Sequence, residues 1–101
     1  MDKYIIVLSE EAQADIKSLT HIIKHQYKAP DTAFKYVQGL LDKILSLSKN
    51  PKIYSIQSYT AFSHYGVAVR RINYKRMAII YTVENRTVYI HRIIAASLIG
   101  E

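Results

Sequence analysis

The segment RMAIIYTVENRTVYIHRIIA, residues 76–95, decides the fold. It holds two runs of alternating β-branched and aromatic residues, 76–83 and 87–95, separated by Glu84-Asn85-Arg86, and this pattern predicts two antiparallel strands joined by a short turn. Immediately upstream, VRRINYKR at residues 69–76 extends the pattern. A strand over 67–72 and a turn at 73–75 complete a β-meander spanning 67–95.

Alternation then assigns faces. In the middle strand Met77, Ile79, Tyr81 and Val83 form the apolar set, so Arg76, Ala78, Ile80 and Thr82 point the other way. In the last strand Val88, Ile90 and Ile94 point inward, and Tyr89, His91 and Ile93 outward. Val67 and Val69 point inward and send Arg70 outward. One face is thus expected to stay open and to gather Arg70, Arg76, Tyr89 and His91.

The first half supplies what covers the other face. Residues 4–8 are five apolar residues bounded by Lys3 and Ser9, a first strand buried on nearly both faces. Ser9 is placed to cap a helix over 10–27, with Glu10 and Glu11 at the positive end of its dipole. Ala12, Ile16, Leu19, Ile23 and Tyr27 make its apolar stripe. Ala29-Pro30-Asp31 breaks that helix and starts a second over 32–49, capped by Asp31. Its stripe is Ala33, Val37, Leu40, Ile44 and Leu47, thickened by Phe34, Leu41 and Leu45, and Asn50-Pro51 stops it. A strand, a helical hairpin and a meander make an α+β domain with the hairpin laid on one face of a small, mainly antiparallel sheet. Residues 52–66 carry no decisive pattern.

With 101 residues, half of them hydrophobic, the chain is expected to form one domain. No apolar run approaches the length that spans a bilayer, so a cytoplasmic location without a membrane partner is expected. The absence of cysteine removes thiolate catalysis and disulfides. Charge is uneven: residues 1–50 hold seven Lys/Arg against six Asp/Glu, and residues 51–101 seven against two. That excess favours nucleic acid, ribosomes or an acidic protein as partner. His21 and His25 stand one helical turn apart without a third ligand in view, so no metal and no cofactor are expected.

The opening residues 4–8 followed by SEEAQADI, the helix end LSKNP at 47–51, and the ordered pieces Val69-Arg70-Arg71, Ile79-Ile80-Tyr81 and VYIHRII at 88–94 resemble the RelE/ParE superfamily of toxins from bacterial type II toxin–antitoxin modules. The resemblance covers nearly the whole chain. It implies a basic, growth-inhibiting toxin held inactive by a cognate antitoxin in a hetero-oligomer, of the kind tied to plasmid stabilisation. RelE-like members cut mRNA in the ribosome, and ParE-like members bind DNA gyrase without chemistry of their own. Long helices look ParE-like. So does a departure from the nuclease pattern: Ala78 stands three before Tyr81, and Ala95-Ala96-Ser97 offers no acid or base at the end of the last strand.

Under the nuclease reading the chain would be a metal-independent endoribonuclease, with His91 as its acid or base, Arg70, Arg76 and Arg92 as its cations and Tyr89 placed to stack a base. Under the binding reading Arg70, Arg71, Lys75, Arg76, Tyr89 and Arg92 form a basic ridge, extended by Arg86, that an antitoxin covers and a target meets. A nucleic-acid-binding module without catalysis ranks third, since the helices are nearly neutral and show no recognition signature.

Overall fold

The computed structural model describes residues 3–26, 28 and 30–99. Its elements are β1 (Ile5–Leu8), α1 (Glu10–Gln26), α2 (Pro30–Leu45), β2 (Arg70–Tyr74), β3 (Met77–Glu84) and β4 (Thr87–Ala95), with 3₁₀ turns between α2 and β2 and after β4. The four strands form one sheet in the order β1-β4-β3-β2. β2, β3 and β4 make the antiparallel meander, and β1 lies parallel to β4 at the opposite edge. The architecture is α+β, with the helical hairpin on one face of the sheet.

Ser9 starts α1 by accepting the Ala12 N–H on its Oγ at 2.9 Å, and Glu10 and Glu11 occupy the first turn. The second helix begins at Pro30, so Asp31 lies inside the first turn and does not cap it. Proline suits that first position, because the N–H it lacks has no helical acceptor there. The α-helix ends at Leu45 and the chain continues to Ser48 as a single 3₁₀ turn, short of the expected residue 49. Tyr27, expected in the first apolar stripe, lies outside the described residues.

The main core joins Ala12, Leu40, Ile44 and Leu47 of the helical layer to Ile72, Ile79, Tyr81, Val88, Ile90 and Ile93 of the sheet, with Ile16 and Leu19 packed against it. Phe34 and Leu45, expected to thicken the second stripe, are 70% and 58% exposed. β1 is not buried on both faces. As an edge strand it turns Ile6 and Leu8 to the core and leaves Ile5 62% and Val7 41% exposed on the far face.

That far face is not open along its whole width. Phe62 from the 3₁₀ segment Thr60–Tyr65 packs on Val69, Ala78 and Ile80, with Tyr59, Tyr65 and Ile94 around them, as a second, smaller core. Residues 67–69 do not join β2, which begins at Arg70. Val69 is buried under Phe62, and its carbonyl accepts the Gln57 N–H at 2.7 Å, while Val67 is fully exposed.

Candidate functional site

Two faults of parity redistribute the expected site. β2 runs in register with β3 so that Arg70 faces Tyr81 and Arg71 faces Ile80. Directly paired antiparallel residues share a face, so Arg70 stands on the helix side and not on the far face. There its Nη1 donates to the carbonyls of Lys52 at 2.9 Å and Tyr54 at 2.6 Å. The neighbouring Tyr81 hydroxyl donates to the Pro51 carbonyl at 2.6 Å. Burial pushes that phenol far up, against a smaller lowering by the Arg70 charge. Arg70 and Tyr81 together anchor residues 51–54.

The second fault lies in β4. Tyr81 pairs with Ile90 and Ile80 with Arg92, which leaves His91 as the extra residue of a β-bulge. Beyond it the alternation is inverted: Ile93 enters the main core, and Ile94, expected inward, packs in the second core. The bulge is stitched to the start of α1. Ser9 donates its N–H to the Ile90 carbonyl at 3.0 Å and its hydroxyl to the His91 carbonyl at 2.9 Å. Asp15 accepts the Ile93 N–H at 2.8 Å and takes Arg92 in a two-pronged pair at 2.8 and 3.1 Å. The Asp15 hydrogen bond raises the Arg92 pKa, with burial opposing it.

His91 keeps its expected place on the far face. Its Nε2 lies 2.8 Å from the Thr82 hydroxyl, and its ring stacks on Tyr65 at 4.6 Å and 18°. Tyr65 in turn meets the His64 ring at 3.9 Å. Burial first, then the His64 charge, lower the His91 pKa, while Glu11 pulls it up. Sequence reading left His64 and Tyr65 without roles. The signal was the aromatic cluster Tyr59, Phe62, His64 and Tyr65, whose packing face no periodicity revealed.

The remaining basic residues do not form one ridge. Lys75, in the two-residue turn after β2, has φ of 53° and lays its ammonium 5.3 and 5.6 Å from the Tyr36 and Tyr74 rings, on the helix side. Arg71 is on the far face, its Nε donating to Asn73 Oδ1 at 2.9 Å. Arg76 is exposed at the same turn, roughly 13 Å along β3 from the bulge at a strand's rise per residue. Tyr89 is 36% exposed and pairs across β1 and β3 with Val7 and Thr82. His21 and His25 place their rings 4.3 Å apart, and among the described residues no group of three or more His, Asp or Glu gathers. No helix among the described residues is long and apolar enough to cross a membrane.

A strand, a long helical hairpin and a meander whose last strand takes β1 beside it are the arrangement to compare with known proteins. The family model for the ParE toxin of the type II toxin–antitoxin system parDE matches residues 6–97. The chain belongs to the ParE toxin family. This ParE-family chain is also similar in fold to a solved structure described as the chromosomal ParDE toxin–antitoxin system from P. aeruginosa. The TM-score is 0.72 and the identity 17%, over 92% of this chain and 96% of that one. No curated protein matches the sequence.

Proposed function

We propose that the chain is the toxin of its module, that it arrests growth in the cytoplasm when free of a cognate antitoxin, and that it acts by binding DNA gyrase without chemistry of its own. The observation that carries the non-catalytic reading is the dispersal of the nuclease set. Arg70 is committed to two carbonyls on the helix side, Arg92 is committed to Asp15, and Arg76 lies far along the strand from His91. A metal-independent ribonuclease needs its acid, base and cations around one phosphate. The surface we assign to target and antitoxin is therefore narrower than the basic ridge: Arg71 and Arg76, with Tyr89 across the far face and Lys75 at the turn.

The experiment is a pair of assays on the purified chain. Inhibition of gyrase supercoiling with accumulation of cleaved DNA is the expected outcome, relieved by the protein encoded beside this gene. Ribosome-dependent mRNA cleavage with gyrase unaffected overturns it. One observation favours that second reading, the contiguous rings of His64, Tyr65 and His91, which bring two imidazoles near one place. His91→Gln separates the two: a folded variant keeps its toxicity if the chain acts by binding, and loses roughly 10²- to 10⁴-fold in rate if an imidazole moves the proton.

A further inference from the structure

His21 and His25 have no part in the function proposed above, yet they are the most sharply defined pair of chemical groups that it leaves over. They lie one turn apart on α1, both exposed to solvent. Their ring centroids are 4.3 Å apart, with the planes tilted by 39°. Among the described residues neither ring takes part in a hydrogen bond or an ion pair, so each neutral imidazole keeps a nitrogen lone pair for a ligand. The helix sets the spacing in advance, because side chains at i and i+4 share a face with their Cβ atoms about 5–6 Å apart.

We infer that His21 and His25 together chelate one late first-row divalent metal ion, Cu²⁺ most tightly, through one nitrogen of each ring; the inference is independent of the toxin reading. A metal–imidazole bond of about 2.0–2.1 Å puts two nitrogens that share an ion about 3 Å from each other. The nitrogens lie at the rim of each ring, and the second side-chain torsion of histidine has broad wells, so centroids at 4.3 Å reach that spacing by ring rotation without moving the helix. The surroundings choose the metal. Lys17 and Lys24 are exposed on the same side of α1 and repel any cation, so donor chemistry and not charge must hold the ion. Imidazole suits Cu, Ni and Zn, and affinity in that series peaks at Cu²⁺. Mg²⁺ and Ca²⁺ require oxygen ligands, and among the described residues no carboxylate completes a group of three with the rings. The pair also lies in the last turns before α1 ends at Gln26, where the negative end of the helix dipole favours a cation. With two protein ligands the remaining positions of the ion go to water, so this is an open clip that ties consecutive turns of α1 together and not a closed structural centre.

The test titrates the isotope-labelled full chain with CuCl₂ at neutral pH and follows the histidine ring signals, which a paramagnetic ligand-bound ion broadens first. Loss of the His21 and His25 signals together, ahead of those of His64 and His91, is expected, and MgCl₂ should leave all four unchanged. ZnCl₂ in place of CuCl₂ should slow hydrogen exchange at residues 21–26, because an ion that binds only the folded helix stabilises it. His21→Gln and His25→Gln should each weaken Cu²⁺ binding by roughly tenfold or more, since the second ring acts as an intramolecular ligand at high effective concentration. Both positions are exposed, so these variants keep the fold. Lys17→His in the His25→Gln background restores the i, i+4 spacing with His21 and should restore the affinity. Broadening that begins at His64 or His91, a single variant that binds as the wild type does, a failed rescue by Lys17→His, or an equal response to Mg²⁺ overturns the inference.

Discussion

Arg70 and His91 both make contacts that the alternation pattern did not reveal, and each makes a measurable demand. Arg70 ties residues 51–54 to the sheet through two carbonyls. Hydrogen bonds to a charged group contribute about 1.5–3 kcal/mol, so Arg70→Ala should lower unfolding free energy in urea by an amount of that order, where Arg76→Ala at the exposed turn stays within about 0.5 kcal/mol. Equal, small effects would show that the anchor carries no weight. His91 has a lowered pKa in the fold, so below the ordinary imidazole value of about 6.5 the unfolded chain binds more protons than the folded one. Its contribution to stability is therefore complete above that pH and is lost as pH falls toward the folded pKa. His91→Gln should flatten this part of the stability profile between neutral and mildly acid pH, and an unchanged slope would place the titration elsewhere. His64 and Tyr65 from the 3₁₀ segment and Glu11 from α1 face the same ring, so the slope belongs to that group of contacts.

At the scale of elements, α2 carries a glycine in mid-helix that ordinary propensity would replace. A Cβ at Gly39 would overlap the Tyr74 hydroxyl and come within 2.9 Å of its Cζ. Glycine here lets the Tyr74 ring lie against the helix, edge-on to Tyr36 at 5.2 Å. Gly39→Ala should destabilise by about 1–3 kcal/mol through overpacking, whereas in a Tyr74→Ala background the same change should stabilise by up to about 1 kcal/mol, the usual helical preference. A double-mutant cycle in denaturant reads this reversal of sign, and additive effects would count against it. The helical stripes were legible in the sequence because Ala12, Leu40 and Ile44 keep the helical period, whereas Leu47 reaches the core from the 3₁₀ turn beyond α2 and Phe34 and Leu45 stay exposed. Strand parity was legible in β3, where Met77 to Val83 alternate without an extra residue; the extra residue of the bulge opposite Ile80 and Tyr81 lies in β4. Val67 and Val69 mimic the alternation of a strand, but Val69 is buried on the far face by Phe62 from the 3₁₀ segment just upstream, so the inference from them put Arg70 on the wrong face. The bulge at His91 left no mark on composition, because it is fixed by Ser9 and Asp15, more than 75 positions away in sequence. The candidate site was read as one ridge for the same reason: charge is visible in a sequence, and the partner that consumes it is not.

Across the whole molecule the sheet divides two cores of unequal size. The smaller rests on Phe62, 7% exposed, within a segment that contributes no sheet ladder beyond the bridge at Ile56. Phe62→Ala should release this segment without unfolding the rest, so hydrogen exchange should rise at residues 59–66 while the amides of β3 and β4 keep their protection. A global loss of protection would mean that the two cores are one cooperative unit. The placement of β1 bears on how the molecule comes into being. Ile5 to Leu8 are made well before their strand partner, Thr87 to Ile90. The sheet is closed by its most distant pairing in sequence, and pairings of this kind are slow because the intervening chain must be ordered first. A nascent or truncated chain that lacks the fourth strand leaves β1 without a neighbour and the stitch from Ser9 and Asp15 without an anchor. β1 therefore finds its place in the sheet only once β4 is there to receive it.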